Sequence, residues 1–179
     1  MARAPLLQLS GLSLTFGGNP LLDGIDLTVQ PGDRIALVGR NGSGKSTLLR
    51  LLATAIRPDR GEALVLGRDV QRERDAVRQT IALLSHASYL YEALTALENL
   101  QIAARFLGRD ASRAALLPLL AEVELDGRAD DAVQTFSAGM RKRLALARTL
   151  LQDAGLVLLD EPYGELDPPG FRLVDKLFA

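Results

Sequence analysis

The chain of 179 residues is 47% hydrophobic and 24% charged, a composition typical of a globular domain that excludes a disordered or fibrous chain. Its formal net charge of -1 provides no positive field for non-specific nucleic-acid binding, so no nucleic-acid partner is expected. The absence of cysteine excludes disulfide bonds and thiolate metal sites.

The first part of the chain has patterns typical of β-strands. Apolar residues alternate with polar or small ones over residues 12–16 and 25–29, and turn-forming residues occupy 17–20. This predicts two half-buried antiparallel strands joined by a turn. The unbroken apolar run Ile35–Val38 predicts a strand of a parallel sheet that is covered on both faces.

From Ser46 onward the spacing of apolar residues becomes helical. Leu48, Leu52 and Ile56 fall on one stripe, and Pro58 follows the expected end of the helix. A strand followed by a helix indicates an α/β unit.

The remaining predicted elements are short strands and a long helical stretch. They are strands over residues 62–66, 80–84 and 156–159 and helices over residues 97–107, 111–123 and 140–151. Ser137 is a candidate N-cap for the last of these helices. We therefore predict one α/β domain over residues 1–179, with a mainly parallel sheet, an N-terminal antiparallel β subdomain and a helical insertion at about residues 95–135.

No secretory leader or membrane span is evident in the sequence. The most apolar stretch, Leu48–Ile56, contains Arg50 and is far too short to cross about 30 Å of hydrocarbon. Gln8, Ser10 and Gly11 interrupt the apolar residues near the start. These features favour a protein that stays in the cytoplasm.

A glycine-rich loop lies between the predicted strand at 35–38 and the helix that follows. Its residues 39–46 match G-x-x-x-x-G-K-[ST], the Walker A pattern, at every fixed position. Main-chain amides of such a loop and the helix N-terminus bind phosphate, Lys45 can reach the β- and γ-phosphates of ATP, and Ser46 can ligate Mg²⁺. The predicted nucleotide-binding residues here are Gly39, Arg40, Asn41, Gly42, Ser43, Gly44, Lys45, Ser46 and Thr47. The alternative, a glycine-rich turn that binds nothing, is disfavoured by the strand and helix on either side.

Two consecutive carboxylates follow the apolar run at 156–159. The carboxyl end of a buried strand is where open α/β sheets bind ligands. Asp160 is suited to hold Mg²⁺, and Glu161 to orient and polarise the attacking water as a catalytic base. Taken alone, such a pair is more often simply a strand entering a loop, and the Walker A pattern makes the functional interpretation the stronger one.

Residues 136–148 resemble the signature segment of ABC ATPases and the helix that follows it. The family usually has L-S-G-G-Q here, so Ser137 and Gly139 are retained while Ala138 and Met140 differ. The resemblance implies a P-loop NTPase core in which these four residues contact the γ-phosphate held by the opposite subunit. Two copies would then pair head to tail as a homodimer around two ATP molecules. Without the neighbouring motifs, the same residues would be an ordinary helix N-cap.

Two other positions carry roles implied by the family resemblance. Phe16 resembles the aromatic residue that stacks on adenine, and the alternative is a strand residue facing the core. Residues 164–167 resemble the S-A-L-D loop that lines the dimer interface, with Asp167 the best-matched member.

His86 aligns with a family glutamine that precedes an L-T-x-x-E-N pattern, here residues 94–99. The resemblance makes it a candidate metal and catalytic residue. A neutral imidazole can accept a hydrogen bond from a metal-bound water, and its protonation near physiological pH would make Mg²⁺ contact sensitive to pH. The alternative is a surface imidazole with no role in catalysis.

In the family the chain continues beyond the Asp167 loop and its helix to another strand and a switch histidine. This sequence ends at Ala179, and His86 is its only histidine. We expect the final strand and the switch-histidine region to be missing, because the sequence is a fragment of a longer protein or the product of a truncated gene. A chain extended by about 30 residues should then be more stable.

The resemblance implies an ATP-hydrolysing enzyme that powers an exporter, with ATP and Mg²⁺ as its cofactors. Transmembrane permease subunits would dock on the helical insertion and the His86 loop, holding the chain peripherally at the cytoplasmic face of the membrane. Ser85-His86, residues 94–100 and the Ser-Ala-Gly signature together resemble the ATP-binding subunit of the haem exporter of cytochrome c biogenesis. The alternatives are a dimerising ATP-binding module with little hydrolysis and the ATPase of a different ABC exporter. A soluble ABC protein of translation or DNA repair is disfavoured, because tandem cassettes and long coiled coils are absent.

Overall fold

A computed structural model describes residues 4–178 of the chain. Its contacts divide the chain into two compact units. One unit extends to Leu83 and includes Ala154–Asp160, and the other comprises Leu84–Asp153 and the residues from Glu161 onward.

The first unit contains a four-stranded antiparallel sheet. Its strands are β1 (Leu7–Phe16), β2 (Asn19–Val29), β3 (Arg60–Val65) and β4 (Arg68–Asp69), in the order β2-β1-β3-β4. The predicted hairpin is confirmed, and β1 is longer than expected, because Leu7 and Leu9 also face the core. The register between β1 and β2 runs from Leu7 opposite Val29 to Phe16 opposite Asn19, with irregularities between them.

Helix α1 (Lys45–Leu52) packs its leucines into the core of this unit. The helix was expected to continue to Ile56, and that prediction is wrong. Thr54 has a left-handed φ of 63°, a conformation that ends helices. The guanidinium of Arg74 donates to the Thr54 carbonyl oxygen at 2.6 Å, and Arg78 Nε donates to its hydroxyl at 2.7 Å. These contacts hold the left-handed turn from helix α2 (Arg74–Arg78).

Two of the predicted parallel strands form, and a third does not. Strands β5 (Ile81–Leu84) and β6 (Leu156–Leu159) pair in a second, two-stranded parallel sheet. The predicted buried strand at 35–38 is wrong, since residues 33–40 are in neither helix nor strand. Val38 is 93% exposed and Ile35 53% exposed. Among the described residues no strand is hydrogen-bonded to this segment, and an apolar run without a neighbouring strand forms no ladder.

The second unit is helical. Helices α3 (Ala96–Phe106), α4 (Arg113–Glu122) and α5 (Ala138–Leu151) pack on one another in pairs, and α6 (Pro168–Phe178) follows later in the chain. Short 3-10 turns occupy Asp126–Arg128 and Val133–Thr135. The predicted insertion is thus present as two α-helices and two turns. None of the helices in the described part of the chain is both long and apolar enough to cross a membrane.

The start of α3 shows what the L-T-x-x-E-N pattern does physically. Thr95 and Glu98 form a capping box, in which the Thr95 hydroxyl accepts from the Glu98 amide and the Glu98 carboxylate accepts from the Thr95 amide. The buried Asn99 side chain accepts from the Tyr91 amide at 2.8 Å and donates to the Tyr91 carbonyl oxygen at 3.0 Å. The pattern therefore starts the helix and ties the preceding loop to it.

Candidate functional site

The glycine-rich loop presents its main chain to solvent at the start of α1. Gly42 and Gly44 have φ values of 81° and 91°, which a residue with a Cβ rarely adopts. A Cβ on Gly39 would lie 2.7 Å from Ser43 Oγ, and one on Gly44 would lie 3.1 Å from the Leu22 side chain. Positions 42 and 44 therefore favour glycine for their left-handed conformation, and the Walker A pattern fixes Gly39 and Gly44.

Lys45 holds the loop in its folded form. Its Nζ donates to the carbonyl oxygens of Gly39 at 2.8 Å and Arg40 at 2.9 Å. The Lys45 ammonium group therefore lies inside the phosphate loop, residues 39–46, to which Lys45 itself belongs. Of the other predicted nucleotide-binding residues, Asn41 is exposed and Thr47 half-buried on α1.

The structure brings together two predicted metal ligands that are distant in the sequence. Ser46, on the first turn of α1, donates its hydroxyl hydrogen to Asp160 Oδ1 at 2.8 Å. Asp160 lies directly after β6 and is only 6% exposed. A buried carboxylate requires a donor or a cation, and the Ser46 hydroxyl supplies the donor. The two predicted metal ligands thus lie side by side at the phosphate loop.

Phe16 ends β1 and is 55% exposed, so the alternative of a core-facing residue is wrong. An exposed ring offers its face to a planar ligand such as adenine. That role remains a prediction.

In the second unit, the signature residues form the N-terminus of α5. The Ser137 hydroxyl accepts from the Met140 amide at 3.2 Å, which confirms the predicted N-cap. Ser137 and Ala138 are exposed, while Gly139 and Met140 are half-buried. The first turn of a helix carries unpaired amides and a partial positive charge, so this surface suits an anion.

His86 and Glu161 are neighbours in this unit. His86 Nδ1 lies 3.6 Å from Glu161 Oε2, and their side chains are 68% and 62% exposed. The main chain of Glu161 has a φ of 49°, in the left-handed region. The structure therefore places the aligned histidine beside the candidate base, and the metal role of His86 remains a prediction.

Asp167 has a local structural role in addition to its predicted place at a dimer interface. Its Oδ1 accepts from the Gly170 amide at 2.9 Å near the start of α6 and lies 3.6 Å from Arg143 on α5. The side chain is 63% exposed.

Two residues that the sequence interpretation missed lie on α5. Lys142 is only 4% exposed and donates from Nζ to the carbonyl oxygen of Glu161 at 3.0 Å. Arg148 donates to the carbonyl oxygens of Ser88 at 2.7 Å and Tyr89 at 2.9 Å, and burial lowers the pKa of its guanidinium from the usual value.

A sequence signal for Lys142 exists. Lys142, Ala145, Leu146 and Thr149 follow the spacing of one helix face, and all four are buried. A lysine on an apolar helical stripe requires an acceptor inside the protein.

The chain is similar over most of its length to known proteins of one family. Residues 22–164 match the family model described as ABC transporter. A cytochrome c biogenesis ATP-binding export protein CcmA from Methylococcus capsulatus is 39% identical over 177 residues, covering 99% of this chain and 85% of that protein. An aliphatic sulfonates import ATP-binding protein SsuB 1 from Nocardia farcinica is 41% identical over 168 residues, covering 93% of this chain and 63% of that protein. A solved structure of the ATP-binding subunit of an ABC transporter superposes with a TM-score of 0.86 at 29% identity, covering 97% of this chain and 73% of that one.

Proposed function

Because the chain belongs to the ABC transporter family and is an ATPase of that family, we propose that it powers export of haem across the cytoplasmic membrane for cytochrome c biogenesis. The observation that carries the ATPase part of the proposal is the hydrogen bond between Ser46 and Asp160 beside the phosphate loop. The cargo part is supported by the similarity to CcmA and by the Ser85-His86, 94–100 and signature motifs.

The Ser46 and Asp160 oxygens fit a magnesium ion. Mg²⁺ prefers oxygen ligands at about 2.1 Å in octahedral geometry, so adjacent ligands lie about 3 Å apart. The distance between Ser46 Oγ and Asp160 Oδ1 is 2.8 Å. Mg²⁺ is usually held by one or two protein oxygens together with phosphate oxygens, and when bound it would neutralise charge on the β- and γ-phosphates.

The roles of the protein groups follow from their chemistry. Amides of residues 39–45 and the Lys45 ammonium bind the phosphates, and the exposed ring of Phe16 stacks on the base. Glu161 accepts a proton from the attacking water. His86, beside Glu161, is assigned to the metal site, where its neutral imidazole would accept a hydrogen bond from a metal-bound water.

The signature residues give the second half of the proposal. We assign Ser137, Ala138, Gly139 and Met140 to the γ-phosphate held by a second copy of the chain, in a head-to-tail homodimer with Asp167 at its interface. The exposed, capped N-terminus of α5 supports this, because its amides bind anions. Transmembrane permease subunits, docked on the insertion and the His86 loop, would hold the dimer at the cytoplasmic face of the membrane.

Phosphate release from Mg-ATP tests the enzymatic proposal. The wild-type chain should turn over, and Glu161→Gln should bind ATP with unchanged affinity while losing at least about 100-fold in kcat. Undiminished turnover by Glu161→Gln would remove Glu161 from the role of base. Binding and dimerisation without phosphate release by the wild type would favour the ATP-binding module instead.

The cargo is tested separately by genetic complementation. In a bacterium that lacks its own CcmA, the wild-type gene should restore covalently bound haem in c-type cytochromes, and the Glu161→Gln gene should not. The control is a strain that lacks the ATPase of its sulfonate importer. The wild-type gene should not restore growth of that strain on an aliphatic sulfonate. The opposite pattern would assign the chain to a different transporter.

A further inference from the structure

Lys142 joins the signature helix to the main chain of the proposed catalytic base. It lies within α5, whose first residues include Gly139 and Met140, and it is only 4% exposed. Its Nζ donates to the Glu161 carbonyl oxygen at 3.0 Å. We propose that Lys142 is a positioning residue that fixes the backbone of Glu161 relative to the signature segment. This inference rests on the proposed function of Glu161.

The segment that Lys142 holds has a conformation that requires external restraint. Glu161 and Glu165 have φ values of 49° and 66°, and left-handed conformations are uncommon for residues that carry a Cβ. Such conformations are strained and persist only where the surrounding contacts enforce them. A hydrogen bond to the Glu161 carbonyl, from a helix packed in the same unit, is such a contact.

The first two turns of α5 contact the same segment at other points. A Cβ on Gly139 would lie 3.1 Å from the Glu165 carbonyl oxygen, so the two main chains approach closely. The Arg143 guanidinium lies 3.6 Å from Asp167 Oδ1. Of these three α5 residues, Lys142 is the one whose hydrogen bond reaches Glu161 itself, at the carbonyl oxygen that also accepts from the Gly164 amide at 3.0 Å.

The consequence is a link between two events of the proposed dimer. Ser137–Met140 would contact the phosphate held by the opposite subunit, and Glu161 would orient water for the ATP of its own subunit. Because Lys142 and the signature residues share one rigid helix, engagement of one phosphate and placement of the base become coupled. Loss of the Lys142 donor should reduce the rate of chemistry and leave the phosphate loop able to bind ATP.

The test is a double-mutant cycle with Lys142→Met and Glu161→Gln, measured by release of radioactive phosphate so that slow residual hydrolysis is detected. In the wild-type background Lys142→Met should lower kcat by about 100-fold, the loss expected when a catalytic group is misplaced by about 1 Å. KM should change by less than about twofold. In the Glu161→Gln background the same substitution should have no further effect on kcat.

Controls separate positioning from stability. Lys176→Met, an exposed lysine of α6 in the same unit, should leave kcat unchanged. Lys142→Gln retains a shorter donor, so its kcat should fall between those of the wild type and Lys142→Met, and it serves for the cycle if Lys142→Met does not fold.

Three results would overturn the inference. An equal loss of kcat in both backgrounds would show a purely structural role for Lys142. Wild-type kcat in the Lys142 variants, with Glu161→Gln inactive, would refute the inference and leave the proposed function intact. Absence of hydrolysis by the wild-type chain would overturn both.

Discussion

The phosphate loop and the signature helix α5 are both assigned to phosphate, yet they are built in opposite ways. Residues 39–43 of the phosphate loop are exposed and belong to neither helix nor strand, and Gly42 and Gly44 have left-handed φ values. Helix α5 is largely buried and is capped by Ser137. The loop delivers main-chain amides, whereas α5 delivers long side chains to carbonyl oxygens elsewhere in its unit.

This difference predicts that the loop sets the affinity for nucleotide, whereas α5 sets the position of the residues that it contacts. The loop is held mainly by contacts within itself, from Lys45 to the carbonyls of Gly39 and Arg40. Helix α5 contacts Glu161 through Lys142. Through Arg148 it contacts the main chain of Ser88 and Tyr89. Substitutions in the loop should therefore change nucleotide affinity at little cost in stability, and substitutions in α5 should do the reverse.

The largest expected effect is that of Lys45→Ala on ATP affinity. Loss of a charged donor to phosphate should weaken binding by about 100-fold, since hydrogen bonds to charged groups contribute about 1.5–3 kcal/mol each. Displacement of a fluorescent ATP analogue measures the affinity, and thermal unfolding should change little. Lys176→Ala is the matched control. Unchanged affinity in Lys45→Ala would remove the distinction between the two regions.

Arg148→Met should have the converse effect. The substitution removes the guanidinium that donates to the carbonyl oxygens of Ser88 and Tyr89, so the free energy of unfolding should fall by about 2 kcal/mol. ATP affinity should stay within about twofold, as measured on the same samples by urea unfolding and nucleotide displacement. Arg105→Met, an exposed arginine of α3, should leave both quantities unchanged.

Two helix caps in the second unit distinguish a purely structural role from a role in phosphate binding. Ser137→Ala and Thr95→Ala each remove an N-cap and should each cost about 1 kcal/mol of stability. Of these two variants, only Ser137→Ala should also weaken ATP-dependent dimerisation, because Ser137 is assigned to phosphate and Thr95 is not. Sedimentation velocity with Mg-ATP in the Glu161→Gln background measures this. Equal dimerisation in both variants would contradict the assignment of the signature segment.

The smallest expected effect concerns a surface ion pair. A hydrogen bond from Arg113 holds the pKa of Asp130 below its usual value, and both side chains lie at the surface. A carboxylate with a lowered pKa stabilises the fold above its unfolded pKa of about 3.9 and loses that contribution as the pH falls through the folded value. The small decrease in melting temperature of Asp130→Asn at pH 7 should therefore disappear at the acid end of the curve. A difference that persists there would assign the effect to something other than the ion pair.

Much of the fold and site could be predicted from local patterns. The alternation of apolar residues gave the β1–β2 hairpin, and the Ser137 cap and the strand at 156–159 followed from residue type and spacing. The Walker A pattern located a loop in which Gly42 and Gly44 have left-handed φ values. These features depend on neighbours in the sequence, so the sequence alone is sufficient.

The missed features depend on distant residues. The apolar run at 35–38 fits a buried strand, but a strand requires a partner for its main chain. Helix α1 ends early because Arg74 and Arg78 bind the left-handed Thr54. Lys142 was missed because its acceptor, the Glu161 carbonyl, lies outside the helix that carries it.

The ATPase assignment depends on ATP binding by the phosphate loop, with Mg²⁺ held at Ser46 and Asp160. Calorimetric titration of ATP into the wild-type chain and into Ser46→Ala, each with magnesium and with EDTA, tests it most directly. Magnesium should tighten ATP binding by the wild type and have a much smaller effect in Ser46→Ala. No heat of association with the folded wild-type chain, or equal magnesium dependence in both proteins, would contradict the account.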